Sequence, residues 1–343
     1  MPWEEKYMNE GIAVDMSVGI LPHGPRNLIS DVPGVRVGHC TVDTEECHTG
    51  VTVVMPPRPN PYLEPLTAAS CVFNGYGKTL GLVQVEELGT LETPIALTGT
   101  LNVGRVHDAL VSYMIGLCRR DGVDLTSVNP VVCECNDSRL SRIALRPVGE
   151  RQVLSAIEDA RADFAQGAVG AGRGTICYGM KGGIGSSSRV MEIDGEVFTL
   201  GILVQSNYGA SSDFRAACLP EGLSESDRGS IILVLATDLP LSARQLRRVL
   251  RRTSVGMARL GSYMGHGSGE IAVGFTTAPA VRQGSFQMVR ILREDKMNLP
   301  FRAAGECAEE AILQSLWHAE ADTALDGTRI PCLREMMRNG KRK

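Results

Sequence analysis

One stretch constrains this chain more than any other: Arg228-Gly229-Ser230-Ile231-Ile232-Leu233-Val234-Leu235-Ala236-Thr237. The apolar run from Ile231 to Ala236 is six residues long and rich in β-branched side chains, so it reads as a buried strand. Residues 220–228 before it are polar and turn-prone. A serine opening a core strand, after a glycine and a loose approach, points to self-cleavage. The Ser230 hydroxyl would attack the carbonyl of Gly229, where the missing side chain leaves room for a strained, close approach. Hydrolysis of the resulting ester would give Ser230 a free α-amine, and an adjacent amine can activate a hydroxyl nucleophile. On its own a Gly-Ser pair before a strand is most often a turn.

A second stretch shifts that balance. Gly265-His266-Gly267-Ser268-Gly269-Glu270 runs into Ile271-Ala272-Val273-Gly274-Phe275-Thr276, where Ile271, Val273 and Phe275 alternate on one face of a strand. Ser268 and Glu270 are two apart, so in extended chain they share a side. If this strand lies beside the one starting at Ser230, a hydroxyl and a carboxylate become available to orient the new amine.

These stretches resemble the DmpA-like family, peptidase family S58, of self-cleaving L-aminopeptidase/D-esterases and β-aminopeptidases. The resemblance also rests on Asn27-Leu28-Ile29-Ser30-Asp31-Val32-Pro33-Gly34-Val35-Arg36-Val37-Gly38-His39, Gly75-Tyr76-Gly77 and Leu97-Thr98-Gly99-Thr100-Leu101-Asn102-Val103-Gly104. Further on it rests on Val169-Gly170-Ala171-Gly172, Lys181-Gly182-Gly183-Ile184-Gly185-Ser186-Ser187-Ser188-Arg189 and Val204-Gln205-Ser206-Asn207-Tyr208-Gly209. It covers most of residues 26–315 in order. It implies an α/β fold: a four-layer α-β-β-α sandwich like that of N-terminal nucleophile hydrolases and ornithine acetyltransferases, with its own strand connections. It implies one domain over 1–343, cut between Gly229 and Ser230 into 1–229 and 230–343, and oligomers of that unit. It makes Ser230 the nucleophile, Ser268 and Glu270 its helpers, Asn207 the oxyanion donor and Glu134 the group that meets the substrate's ammonium. The substrate is then a short peptide, amide or ester with a free amino terminus, and neither cofactor nor metal is required. The alternatives are an ornithine acetyltransferase-like acyl transferase, against which a serine in place of threonine argues, and an uncleaved binding protein.

Two places depart from the family pattern. Lys78 stands where an acidic residue is expected, and Asn136-Asp137-Ser138-Arg139-Leu140 replaces the usual motif. The tyrosine that some relatives place near there as an oxyanion donor has no counterpart between Tyr113 and Tyr178.

Composition excludes several classes. Charged residues make up 22% and hydrophobic ones 43%, as in a folded globular protein. A net charge of −4 gives no field for nucleic acid. The ten cysteines are scattered, several in apolar runs, with no CxxC or zinc pattern, so they read as reduced thiols of a cytoplasmic protein. The first residues lack a signal-peptide pattern, and no membrane span is expected. The 38 glycines imply many tight turns and close backbone contacts.

Along the chain, residues 1–25 read as an arm packed on a neighbouring subunit, and 29–41 as strand, turn and strand. Residues 103–119, 150–164, 241–260 and 303–319 read as helices, 130–135 as a buried strand, and 190–204 as a hairpin about Asp194-Gly195. Glu134 in its apolar strand must be paired or functional. Asn207 at a strand end is a turn former in most proteins, and an amide donor in the family. His39 and His48 read as structural. The glycine-dense 167–185 lacks the context of a dinucleotide or phosphate loop and reads as close packing beside a pocket. The arginines of 241–260 read as the wet face of a packed helix. Residues 208–229 form a linker, and 336–343 a frayed tail.

Overall fold

The residues after Ser230 alternate between two apolar surroundings. In the computed structural model, which describes residues 18–214 and 228–340, Ile231, Leu233 and Leu235 join one buried cluster and Ile232, Val234 and Ala236 another. A strand that is apolar on both faces must be covered on both, and the rest of the fold supplies the cover.

The main strands are β1 (Arg36–Asp43), β2 (His48–Met55), β3 (Leu66–Gly75), β4 (Thr90–Leu91), β5 (Ile95–Gly99), β6 (Val131–Cys135), β7 (Ile176–Cys177), β8 (Met180–Lys181), β9 (Gly183–Ile193), β10 (Glu196–Asn207), β11 (Arg228–Thr237) and β12 (Gly267–Thr276). The helices are α1 (Leu82–Leu88), α2 (Val103–Arg120), α3 (Glu150–Glu158), α4 (Ala243–Leu250), α5 (Thr253–Arg259), α6 (Asn298–Trp317) and α7 (Leu333–Gly340). One sheet has the order β1-β2-β5-β6 and the other β4-β3-β12-β11-β10-β9. Val37, Val54, Leu97 and Cys133 of the first sheet meet Leu203, Ile232, Val234 and Phe275 of the second in a common core. The opposite faces are covered by α2 and α3 on the first sheet and by α4, α5 and α6 on the second. The result is a four-layer α-β-β-α sandwich. Both parallel pairs, β5 with β6 and β11 with β12, are joined through helices, α2 in one case and α4–α5 in the other.

Helix α6 comes so close to β9 that a Cβ on Gly185 would run into the Ala311 carbonyl and the Ser315 nitrogen. Its buried carboxylates are neutralised from the sheet. Arg189, fully buried, sets Nε 3.2 Å from Glu306 and a terminal nitrogen 2.7 Å from Glu310. The Asp194-Gly195 hairpin forms as read, with φ of 53° and 80°, the mirror-image turn that matches strand twist.

Several elements differ from the sequence reading. Ile29–Asp31 is a 3₁₀ turn, not a strand, and the Ile29 N–H is taken by Ser186 Oγ at 2.8 Å. Helix α3 stops at Glu158 because Arg161 exchanges two backbone hydrogen bonds with Val37, at 3.0 and 3.1 Å, at the edge of β1. The arginine-rich segment is two helices with a break at Arg251-Arg252. Its Arg244 and Arg248 pair with Glu294, and Arg247 pairs with Glu86 at 2.7 Å. Residues 333–340 are helical, with Met336 and Met337 against the core, rather than frayed. Of the N-terminal arm, residues 18–25 are tied to the α6–β9 layer of this chain: the Leu21 N–H reaches Glu306 at 3.1 Å and the Val18 carbonyl accepts from Arg189 at 2.6 Å. Residues 1–17 and most of the 208–229 linker (215–227) fall outside the described residues. The nine described cysteines are free thiols, seven of them buried. Among the described residues, no helix is long and apolar enough to cross a membrane.

Candidate active site

A cleft of about 810 Å³ opens over the first residues of β11. Gly229, Ser230 and Asn207 line it from the larger sheet, Glu134 from the smaller one, and Thr100 from the 3₁₀ turn that follows β5. Tyr76, Lys78 and Arg139 also line it.

Ser230 is 3% exposed, and its Oγ has no hydrogen-bond partner among the described residues. A buried hydroxyl in that condition costs on the order of 1–3 kcal/mol. It is therefore a group held for something other than packing. In the antiparallel ladder Ser230 lies opposite Asn207, so the two side chains share the face of β10 and β11 that looks into the cleft. The Asn207 amide oxygen accepts the Ile176 N–H at 2.9 Å. A backbone N–H can be met only by the oxygen, so the amide orientation follows and the NH₂ end is presented to the cleft. Ile176 is itself fixed from below. Lys181, fully buried, donates to the carbonyls of Thr175 at 2.9 Å, Gly182 at 3.2 Å and Gly172 at 3.3 Å, and burial pulls its pKa down to about 7.

Gly229 sits on the strand with φ of +155°, a conformation closed to side-chain-bearing residues. A Cβ there would meet the Asn207 carbonyl oxygen and come within 2.8 Å of Tyr208 Cα. The peptide bond before Ser230 is thus pressed against the neighbouring strand, and the thiol of Cys135 donates to the Ser230 carbonyl at 3.5 Å.

Glu134 is 2% exposed at the end of β6. Its Oε1 accepts the Lys78 N–H at 2.9 Å, and its Oε2 accepts from the Thr100 hydroxyl. These two neutral donors fix the carboxylate without cancelling its charge, which suits a cation arriving through the cleft.

Ser268 and Glu270 are both fully buried on β12, parallel to β11. Register sets Ser268 level with Gly229, and Glu270 level with Ile231, while Gly269 is the partner of Ser230. Their alternation runs with Ala272, which packs toward the helices, whereas Ser230 runs with Ile232, which faces the other sheet. Accordingly neither lines the cleft. The strands are neighbours as the sequence reading required, and this pair flanks the Gly229–Ser230 backbone.

Sequence reasoning missed three supports. Asn74 Nδ2 donates to the carbonyls of Gly265 at 2.7 Å and Ser268 at 2.5 Å, pinning the start of β12. It is placed there by a bulge at Phe73, where β3 carries one residue more than β12. Thr100 and Lys181 both lie inside stretches already singled out, but their partners are distant in sequence. His39 and His48 lie away from the cleft, bonded to Thr52 at 2.9 Å and to Asp43 respectively.

The model of peptidase family S58 matches residues 27–330. The β-peptidyl aminopeptidase BapA of Sphingosinicella microcystinivorans is 36% identical over 343 residues, covering 90% of this chain and 85% of that one. A crystal structure of a Pyrococcus horikoshii OT3 protein superposes with a TM-score of 0.87 at 40% identity, over 98% of both chains. The L-aminopeptidase D-Ala-esterase/amidase of Ochrobactrum anthropi, described as a variant of the Ntn hydrolase fold, superposes with a TM-score of 0.86 at 33% identity, over 96% of this chain and 97% of that one.

Proposed function

The chain belongs to peptidase family S58, and from that premise we propose that it is a self-processing serine aminopeptidase acting on short peptides and amides with a free amino terminus. The observation that carries the reading is the pairing of Ser230 with Asn207 on the cleft floor, behind a glycine whose backbone conformation only glycine adopts.

Maturation begins when the Ser230 Oγ adds to the Gly229 carbonyl carbon. The C–N bond to Ser230 breaks, the nitrogen takes the hydroxyl proton, and Gly229 is left as an ester on Oγ. Water then hydrolyses that ester, giving a Gly229 carboxylate and a free α-amine on Ser230. The two chains, 1–229 and 230–343, stay together because β11 remains laddered between β10 and β12. Freed from the peptide plane, the amine turns off the ladder. Ser268 and Glu270, level with the residues on either side of it, are then the neighbours that take its hydrogens and tune its orientation.

In turnover the same Oγ attacks the carbonyl of the substrate's first residue. The α-amine, whose reference pKa is about 7.7–8.0, accepts the hydroxyl proton and returns it to the departing amine. Asn207 Nδ2 stabilises the oxyanion. Glu134 holds the substrate ammonium, which restricts cleavage to the first residue. Water releases the acyl group in the second half-reaction. Intact mass under denaturing conditions tests the reading. Wild type should give chains of 229 and 114 residues (343 less 229), and Ser230→Ala a single folded, inactive chain of 343. Scission of the 229–230 bond in Ser230→Ala would overturn it.

A further inference from the structure

The rim of the cleft is more positive than a site for an ammonium-bearing substrate requires. Among the described residues, its charged lining consists of Lys78, Arg139 and Glu134. Glu134 is buried and held by two donors, whereas Lys78 and Arg139 are exposed. No carboxylate among the described residues lies within ion-pair distance of either cation. The Lys78 ammonium stands 5.0 Å from the Tyr76 ring centroid. Asp326 forms no ion pair with Arg139: its pKa is lowered first by its hydrogen bonds to Thr328, including the N–H at 2.9 Å, and then by the charge of Arg139. Two cations without an ion-pair partner among the described residues, beside one carboxylate, would repel a substrate that brings only another positive charge. They would favour one that also brings a negative charge.

Chain dimensions say where that charge belongs. Each extended residue spans roughly 3.3–3.6 Å, so the carboxylate of a dipeptide lies about 7 Å from its ammonium nitrogen. Lys78 is tied to Glu134 through its own N–H, and its four-carbon stem reaches a comparable distance outward. Resting on the aminopeptidase reading above, we infer that Lys78 and Arg139 form a carboxylate subsite, so that the preferred substrates are zwitterionic dipeptides rather than neutral-ended amides.

The test compares the dipeptide β-alanyl-alanine with its C-terminal amide, read as the ratio of the two kcat/KM values at low ionic strength. Wild type should favour the free acid. Lys78→Glu and Arg139→Glu should each lower the acid-to-amide ratio by about threefold to tenfold, the range expected for reversing a partly solvated charge. Raising the salt to about 0.5 M should shrink the wild-type preference, because screening weakens exposed pairs. A wild-type preference for the amide, or a ratio that neither substitution moves, would overturn the subsite while leaving the aminopeptidase reading in place. If a fully processed enzyme leaves both compounds intact, the same acid-to-amide comparison is made with alanyl-alanine, and failure to cleave all four compounds would overturn both readings.

Discussion

Replacing Gly229 by alanine puts the proposed maturation under a direct steric test. The added Cβ would sit 2.8 Å from Tyr208 Cα and in closer conflict with the Asn207 carbonyl oxygen. Carbon atoms in contact normally stand about 3.5–4.0 Å apart, so the shortfall is on the order of 1 Å at Tyr208 alone. Both obstacles are backbone atoms of the adjoining strand and its exit, and neither can step aside without disturbing the Asn207–Ser230 and Ser206–Ile231 pairs. Overpacking of this kind costs about 1–3 kcal/mol. Forcing alanine to a φ near +155° adds roughly 1–3 kcal/mol more. The total, about 2–6 kcal/mol, is within the margin of an ordinary domain, so the precursor should fold. It should do so with the start of β11 displaced by several tenths of an ångström to 1 Å.

Displacement of a nucleophile on that scale lowers an intramolecular rate by roughly hundredfold. Scission of Gly229→Ala, followed as the appearance of the 230–343 fragment by denaturing mass spectrometry, should therefore be at least about a hundredfold slower than in wild type. A urea titration of the unprocessed variant reports the stability cost on its own. Maturation of Gly229→Ala at the wild-type rate would refute the close-contact argument, and so would a stability loss far beyond about 6 kcal/mol.

Glu134→Gln keeps an acceptor for the Lys78 N–H but removes the charge, and kcat/KM for an amino-terminal amide should fall by roughly 30-fold or more, whereas a change under threefold would remove Glu134 from ammonium recognition. Arg189→Met removes the one fully buried cation from Glu306 and Glu310, leaving them only the more exposed Arg302 and His23, and urea unfolding should show a loss of about 3–5 kcal/mol. Burial lowers the pKa of His39 to about 4, below its ordinary 6.5, so the folded state binds fewer protons than the unfolded chain between those values. Its contribution is fully present above pH 6.5 and is lost as pH falls toward 4, about 1–2 kcal/mol for a ring that is only partly buried. Asp137, pushed up to about 6 by burial, acts with the opposite sign over part of that range. The check is therefore the difference in unfolding free energy between wild type and His39→Gln, which should narrow on going from pH 7 to pH 4.5.

What was legible in the sequence, and what was not, follows from the range of the forces involved. The strands from Ser230 and Gly267 announce themselves because their alternation is local, and each strand's two faces meet the two apolar surroundings that alternation implies. The Asp194-Gly195 turn is equally local. Helix ends were less legible because tertiary hydrogen bonds set them. Nothing within residues 150–164 shows that Arg161 will pair with Val37, so amphipathic spacing carries the helix six residues too far. The same holds at the site. Ser230, Asn207 and Glu134 stand out as residue types out of place in their strands, but the atoms that aim them come from Ile176, Lys78 and Thr100, which no spacing rule connects to them.

Ser268 and Glu270 carry this argument furthest. Their two-residue spacing correctly gives them a common side, and a parallel neighbour is what the sequence required. Which side they share depends on register, and in a parallel pair a slip of one residue would exchange it. With Gly269 as the partner of Ser230, Ser268 and Glu270 lie beside the Gly229–Ser230 backbone while Ser230 and Asn207 line the cleft. On the proposed mechanism that arrangement divides the labour: the cleft face handles the carbonyl and its oxyanion, and the adjacent strand handles the nitrogen, a group that becomes an amine only after the chain has cut itself.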